Sequence, residues 1–104
     1  MRKNLSLAVI KIKVYTVLGL KKIIGQGEFE VSIPQGSTVE AFLFWMAKTY
    51  GDKLSSQLFE PGSVNLLPYI RLMVNGRSIR FLDGMETVLH DGDEILLLPP
   101  VAGG

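Results

Sequence analysis

Six apolar residues, Val39, Phe42, Leu43, Met46, Ala47 and Tyr50, fall at spacings of 0, 3, 4, 7, 8 and 11. They predict one α-helix with a single apolar stripe. Such a helix must lay that stripe on something, and the segments around it supply a sheet. Ser37-Thr38-Val39-Glu40 has the capping-box pattern, with the Ser37 hydroxyl expected to accept from the helix and Glu40 to reach back. The helix is expected to run to about Tyr50, and Gly51 is a natural stop.

The flanking segments alternate. Over residues 7–17, Ile10, Ile12, Val14 and Thr16 are expected to face inward and Lys11, Lys13, Tyr15 and Val17 outward. Residues 19–26, with Gly19, Gly25 and Lys21-Lys22, read as a loop. A second strand, Glu28 to Ile33, turns Phe29, Val31 and Ile33 inward and should form a hairpin with the first. Pro34-Gln35-Gly36 ends it. Beyond the helix, Asp52 is expected to cap a short helix carrying Leu54 and Leu58, and Pro61-Gly62 reads as a turn.

A third strand is expected over Tyr69 to Val74, with Ile70, Leu72 and Val74 inward and Arg71 and Met73 outward. Asn75-Gly76 is a hairpin signal, since both residues tolerate positive φ. A short strand near Arg77 to Phe81 and a last one from Ile95 to Leu98 complete the set. Pro99-Pro100 stops the last strand, for neither residue has an amide donor. The order β-β-α-(short helix)-β-β-β implies a two-layer α+β domain, the order of the ubiquitin-like β-grasp roll. About five strands form a mixed sheet under one main helix. The first and last strands are expected side by side and parallel in mid-sheet, joined by a crossover through the helix region.

Composition removes several function classes. With 104 residues, the chain is one domain's length. A net charge of +1, with 20% charged residues, lacks the basic excess expected of a nucleic-acid domain. There is no cysteine, so disulfides, thiolate metal sites and cysteine nucleophiles are out. His90 is the single histidine; beside Asp91 and Asp93 it reads as part of a polar turn rather than a metal site. Gly25-Gln26-Gly27 lacks the strand-to-helix context of a phosphate loop. Phe44 and Trp45, off the helix stripe, are expected to pack against residues 52–68. The apolar run near the start is interrupted by Lys11 and Lys13, so no targeting signal or membrane span is read, and the cytoplasm is the expected location. No intrinsic catalysis and no bound cofactor are expected.

The segment Asp91-Gly92-Asp93-Glu94, a short apolar strand, and then Pro99-Pro100-Val101-Ala102-Gly103-Gly104 resembles the small subunit of molybdopterin synthase. This is the sulfur-carrier (MoaD/ThiS) branch of the ubiquitin-like proteins. Val74-Asn75-Gly76-Arg77-Ser78-Ile79 is similar to a hairpin common in these carriers. Many members have phenylalanine where Leu98 stands here, and residues 51–68 are longer than in the shortest members. The resemblance implies residues 1–98 as a β-grasp domain and 99–104 as a reactive tail. It implies that an adenylating enzyme of the ubiquitin-activating type uses ATP and a sulfur donor to convert the Gly104 carboxylate into a thiocarboxylate. The sulfur then passes to a pterin held by the synthase large subunit, in a heterotetramer. With no cysteine in the chain, a sulfur cargo has only that carboxylate to occupy.

Each tail residue then has a task. Gly103 and Gly104, without Cβ, suit a narrow channel. Ala102 keeps the tail slim, Val101 is small enough to enter a tunnel, and Pro99 and Pro100 hold it extended. Leu98, Leu96, Val17, Tyr15, Lys13, Lys11, Arg71 and Met73 are expected to form an outer sheet face, mixing apolar and basic groups, that docks the partners. A sulfur carrier of thiamine synthesis or another pathway, a lysine-linked modifier, and an interaction domain with an inert tail stand as alternatives.

Overall fold

The computed structural model describes residues 8–99. Strands β1 (Val9–Thr16) and β2 (Glu28–Pro34) pair antiparallel, with Ile12 level with Val31 and Val14 with Phe29. Alternation sorts their side chains. Ile10, Ile12, Val14, Val31 and Ile33 are buried, while Lys11, Glu28, Glu30 and Ser32 are exposed. Thr16 is buried as well, and its hydroxyl donates to the Gln26 carbonyl at 2.7 Å, so no polar group is stranded.

The expected loop after β1 is instead helix α1 (Leu18–Ile24). Leu20 and Ile24, one turn apart, bury together. Gly25, at φ 90°, takes the left-handed C-cap, and its N–H donates to the Lys21 carbonyl at 2.7 Å. Lys21 and Lys22 occupy the last turn, where cations meet the negative end of the helix dipole. The residues that read as loop signals are thus the end of a helix. As a consequence β1 stops at Thr16, and Val17, expected in the strand's outward row, is the residue before α1. Leu18 carries a left-handed φ of 54°.

Helix α2 (Val39–Tyr50) follows the predicted stripe, with Val39, Phe42, Leu43 and Met46 buried. Its cap lies one residue later than expected. Thr38 accepts from the Ala41 N–H at 3.2 Å, whereas the Ser37 hydroxyl donates to the Pro34 carbonyl at 2.7 Å. Glu40 is then too early in the helix for a capping box, whose acid belongs where Ala41 stands. Gly51, at φ 70°, ends α2 and also precedes α3 (Asp52–Leu58), so Asp52 is that helix's first residue rather than its cap. Leu54 and Leu58 are buried as expected.

Strand β3 (Arg71–Val74) begins two residues later than predicted, because the Ile70 N–H closes a turn onto the Leu67 carbonyl. Asn75 and Gly76 make the turn with φ of 51° and 83°. Strand β4 (Arg77–Ser78) is cut short: Ile79–Phe81 is a 3₁₀ turn, with the Arg80 N–H donating to Ser78 Oγ. Strand β5 (Glu94–Leu98) closes the sheet.

Among the described residues the sheet order is β2-β1-β5-β3-β4, with β1 and β5 parallel at its centre. The α2 and α3 side chains join the inward strand residues in one core. No helix among these residues is long and apolar enough to cross a membrane.

Candidate functional site

The outer face of the sheet follows from strand phase. Ile95 and Leu97 are fully buried, so Leu96 and Leu98 turn outward and are half-buried. Leu96 stands level with Tyr15 on one side and Met73 on the other. Glu28 and Ser78 extend that row to the two edges. Arg71 stands level with Leu98, where β5 hands the chain to half-buried Pro99. The apolar row Tyr15-Leu96-Met73 is therefore one row behind the root of the tail. Pro100, Val101, Ala102, Gly103 and Gly104, expected to form the reactive tail, lie outside the described residues.

Charge is distributed differently from the expectation. Lys13 faces the same surface, but it stands level with Glu30 on β2 and Glu94 on β5, and its Nζ lies 3.5 Å from Glu28 Oε2. The Lys13 ammonium is held above the usual lysine range, first by the Tyr15 charge and then by the hydrogen bond and charge of Glu28. The face that read as apolar and basic is acidic toward β2. Sequence reasoning had assigned the outward residues of β1, β3 and β5 and left out those of β2, although the same alternation marks Glu28 and Glu30. Of the three cations expected on this face, Arg71 is the one level with the tail root.

Lys11 does not join this group. Its N–H donates to Asp91 Oδ1 at 2.8 Å and its carbonyl accepts from Gly92 at 2.9 Å, which places it at the far end of β5 from Leu98. The carboxylates there have structural partners. Asp93 accepts from the His90 N–H at 2.8 Å and from the Asn75 amide at 2.9 Å. No group of three or more metal-ligating side chains occurs among the described residues.

Two apolar features at the tail end were not found from sequence. Leu18 is 68% exposed, and because β1 and β5 run parallel it lies at the same end of the sheet as Leu98. On the other side of Arg71, a cleft of about 370 Å³ opens between β3, the 3₁₀ turn and residues 65–68, lined in part by Leu66, Ile79, Met85 and Phe81. Phe81 is 82% exposed. The sequence pattern places it at the end of a strand, but the 3₁₀ turn Ile79–Phe81, capped by Ser78, exposes it. Phe44, expected to pack, is also 55% exposed, whereas Trp45 packs edge-on to Tyr50.

One long helix over a five-stranded mixed sheet, with first and last strands parallel at its centre, defines a ubiquitin-like β-grasp protein. Residues 18–104 match the ThiS family, and the chain belongs to it. Small archaeal modifier protein 3 of Haloferax volcanii is 37% identical over 84 residues, 81% of this chain and 88% of that one. A putative sulfur carrier protein of Archaeoglobus fulgidus is 35% identical over 81 residues, 78% and 89% of the two chains.

Among solved structures, small archaeal modifier protein 1 of Methanosarcina acetivorans superposes with a TM-score of 0.78 at 34% identity, covering 93% of this chain and 99% of that one. CysO in the Amycolatopsis orientalis BexX/CysO complex gives 0.72 at 26%, covering 89% and 99%. A putative molybdopterin converting factor subunit 1 of Pyrococcus furiosus gives 0.70 at 25%, covering 88% and 99%. The chain is thus a ubiquitin-like protein of the sulfur-carrier and modifier kind. One such neighbour, CysO, is found in a complex with a second protein, BexX.

Proposed function

We infer that this chain carries sulfur as a thiocarboxylate on Gly104 and donates it, as the small subunit of molybdopterin synthase, to form the molybdopterin dithiolene. The observation that carries the reading is the position of β5. It is held between β1 and β3, it leads directly to Pro99, and the family match continues through residue 104. A tail rooted on a central strand has a fixed origin from which a short extended segment can enter a partner's channel. The Pyrococcus neighbour, by its name, supports the pterin branch.

A carboxylate is a poor electrophile. An activating enzyme adenylates it with ATP, releasing pyrophosphate, and a sulfide-level donor displaces AMP to leave the thiocarboxylate. On this reading residues 99–104 serve as the reactive tail and residues 1–98 as the domain that carries it. The proline rings of Pro99 and Pro100 restrict φ, which favours an extended segment and lowers the ordering entropy lost on insertion. Val101, Ala102, Gly103 and Gly104 keep it narrow. Tyr15, Leu96, Met73, Leu98 and Arg71 form the surface on which the activating enzyme and the large subunit dock in turn, in the cytoplasm, with two small and two large subunits in the synthase.

The test has two stages. The chain is incubated with its activating enzyme, ATP and a sulfur donor, and intact mass is read. Replacement of one oxygen by sulfur at Gly104 is expected, and its absence overturns the carrier reading. The charged chain is then mixed with the large subunit and pterin precursor. Loss of that sulfur with dithiolene formation is expected, and retention of the sulfur overturns the pterin assignment. The name of the Haloferax relative favours one second reading, a modifier joined through Gly104 to lysines. Lysine-linked conjugates in the first stage would support it.

A further inference from the structure

The two edges of the sheet are built differently. At one, β4 has two residues before the chain turns into a 3₁₀ helix, which leaves no ladder to extend. At the other, β2 runs for seven residues, and among the described residues it has a neighbour on one side only.

Hydrogen bonding at the two ends of β2 fixes which of its backbone groups are committed. The Thr16 N–H donates to the Gly27 carbonyl and the Gln35 N–H to the Ala8 carbonyl. Antiparallel ladders alternate bonded and non-bonded pairs, so Phe29, Val31 and Ile33 bond to β1. The N–H and C=O groups of Glu28, Glu30 and Ser32 therefore point out of the sheet's edge. Pro34, with no N–H, ends the available run.

The side chains beside that edge differ between faces. On the outer face Glu28 and Glu30 are exposed. On the inner face Phe29 is half-buried and meets the Tyr50 ring edge-on, with centroids 6.3 Å apart. A strand added here would lay alternate side chains beside two carboxylates and, between them, beside an aromatic pair.

We propose that the β2 edge is a docking site for an extended segment of another protein in which lysine or arginine alternates with apolar residues. Its backbone pairs with Glu28, Glu30 and Ser32, its cations meet Glu28 and Glu30, and its apolar side chains cover Phe29. A second copy of this chain is a poor occupant. An antiparallel β2–β2 pair centred on Glu30 sets Glu30 against Glu30, and a shift toward Glu28 sets Glu28 against Glu30. A shift the other way places Pro34 opposite Glu28 and loses a bond. This surface meets the Tyr15-Leu96-Met73 row only at Glu28, which stands level with Tyr15, and the proposal does not depend on Gly104.

The test is amide exchange on the ¹⁵N-labelled full chain with an acetylated, amidated Lys-Val-Lys-Val-Lys-Val peptide. Exchange at Glu28, Glu30 and Ser32 is expected to slow about tenfold or more at saturation, while Phe29, Val31 and Ile33 are unchanged. Glu30→Lys should weaken the peptide about tenfold and accept the Glu-Val counterpart instead. Ser32→Pro, at a residue whose N–H does not bond to β1, should also block binding. No slowing at these three amides, protection centred on Leu96 and Met73, or equal affinity for Glu30→Lys overturns the proposal. So does a dimer that protects the three amides without peptide.

Discussion

Leu96 stands level with Tyr15 across the parallel pair at the centre of the sheet, and the two side chains share its outer face. Leu97, one residue on, is fully buried on the other face. On the proposed function, folding and docking are thus separated within two consecutive leucines. Leu97→Ala should cost about 2–5 kcal/mol in urea unfolding, from lost burial and a cavity. Leu96→Ala should cost about 1 kcal/mol, since its side chain is only half-buried. Affinity for the activating enzyme should show the reverse order, with Leu96→Ala the weaker binder by calorimetry. Charge reversal separates the cations similarly. Arg71→Glu, beside the tail root, should reduce affinity more than Lys13→Glu, whose charge is already balanced by Glu28. Unchanged affinity on reversing both would remove this face from the docking surface.

Asn75 holds the β3–β4 turn and the start of β5 together. It adopts a φ of 51°, its amide donates to Asp93 at 2.9 Å, and its side-chain oxygen accepts from the Glu94 N–H at 2.9 Å. Asn75→Ala removes both bonds and leaves a residue that disfavours positive φ. The expected loss is about 2 kcal/mol, read as a lower urea midpoint with unchanged slope. Asn75→Gly, which keeps only the backbone freedom, should recover part of it.

The sheet and the main helix were legible because their side chains repeat at the period of the structure they form. Ile10, Ile12 and Val14 mark one face of β1, and the Val39–Tyr50 stripe marks one side of α2. The errors fall where one residue type serves two local structures. Gly19, Gly25 and the Lys21-Lys22 pair signal a loop by composition, yet Leu20 and Ile24 have a core to bury into and so make a helix. Ser37 and Thr38 are both good caps, and only the course of the chain after Pro34 decides between them. Phe81 is apolar but exposed, because a 3₁₀ turn ends β4 at a point that strand alternation does not signal. For the candidate site, the row Tyr15-Leu96-Met73 could be read from alternation once the strand order was assumed. The acidic side of the face was missed because Glu28 and Glu30 lie on the one strand whose outward residues were not counted.

Leu18 is an exposed leucine in left-handed backbone, a conformation that costs a residue with a Cβ about 1–2 kcal/mol. Asparagine tolerates it better and gives up little burial here. Leu18→Asn should therefore stabilise the fold by about 0.5–1 kcal/mol, read as a higher thermal midpoint. If the exposed leucine also contributes to docking at the tail end, the same variant should weaken the activating enzyme's binding. A gain in stability together with a loss in affinity would identify strain retained for function.

Alkaline pH should expose the environment of Tyr50. Burial raises its phenol above the ordinary value of 10.0, because the packed site disfavours the phenolate. The unfolded chain then loses that proton first. The stability linked to Tyr50 is complete below about pH 10 and declines as pH rises through the raised folded value. Lys13 is also raised from its ordinary 10.5, and its contribution runs the same way: the charged form is favoured in the fold and lost as pH climbs. Urea midpoints between pH 9 and 12 should accordingly fall. In Tyr50→Phe the decline should be shallower and begin later, with the remaining slope reduced again by adding Lys13→Met. An identical decline in the wild-type chain and Tyr50→Phe would show that the ring's burial does not set the alkaline limit.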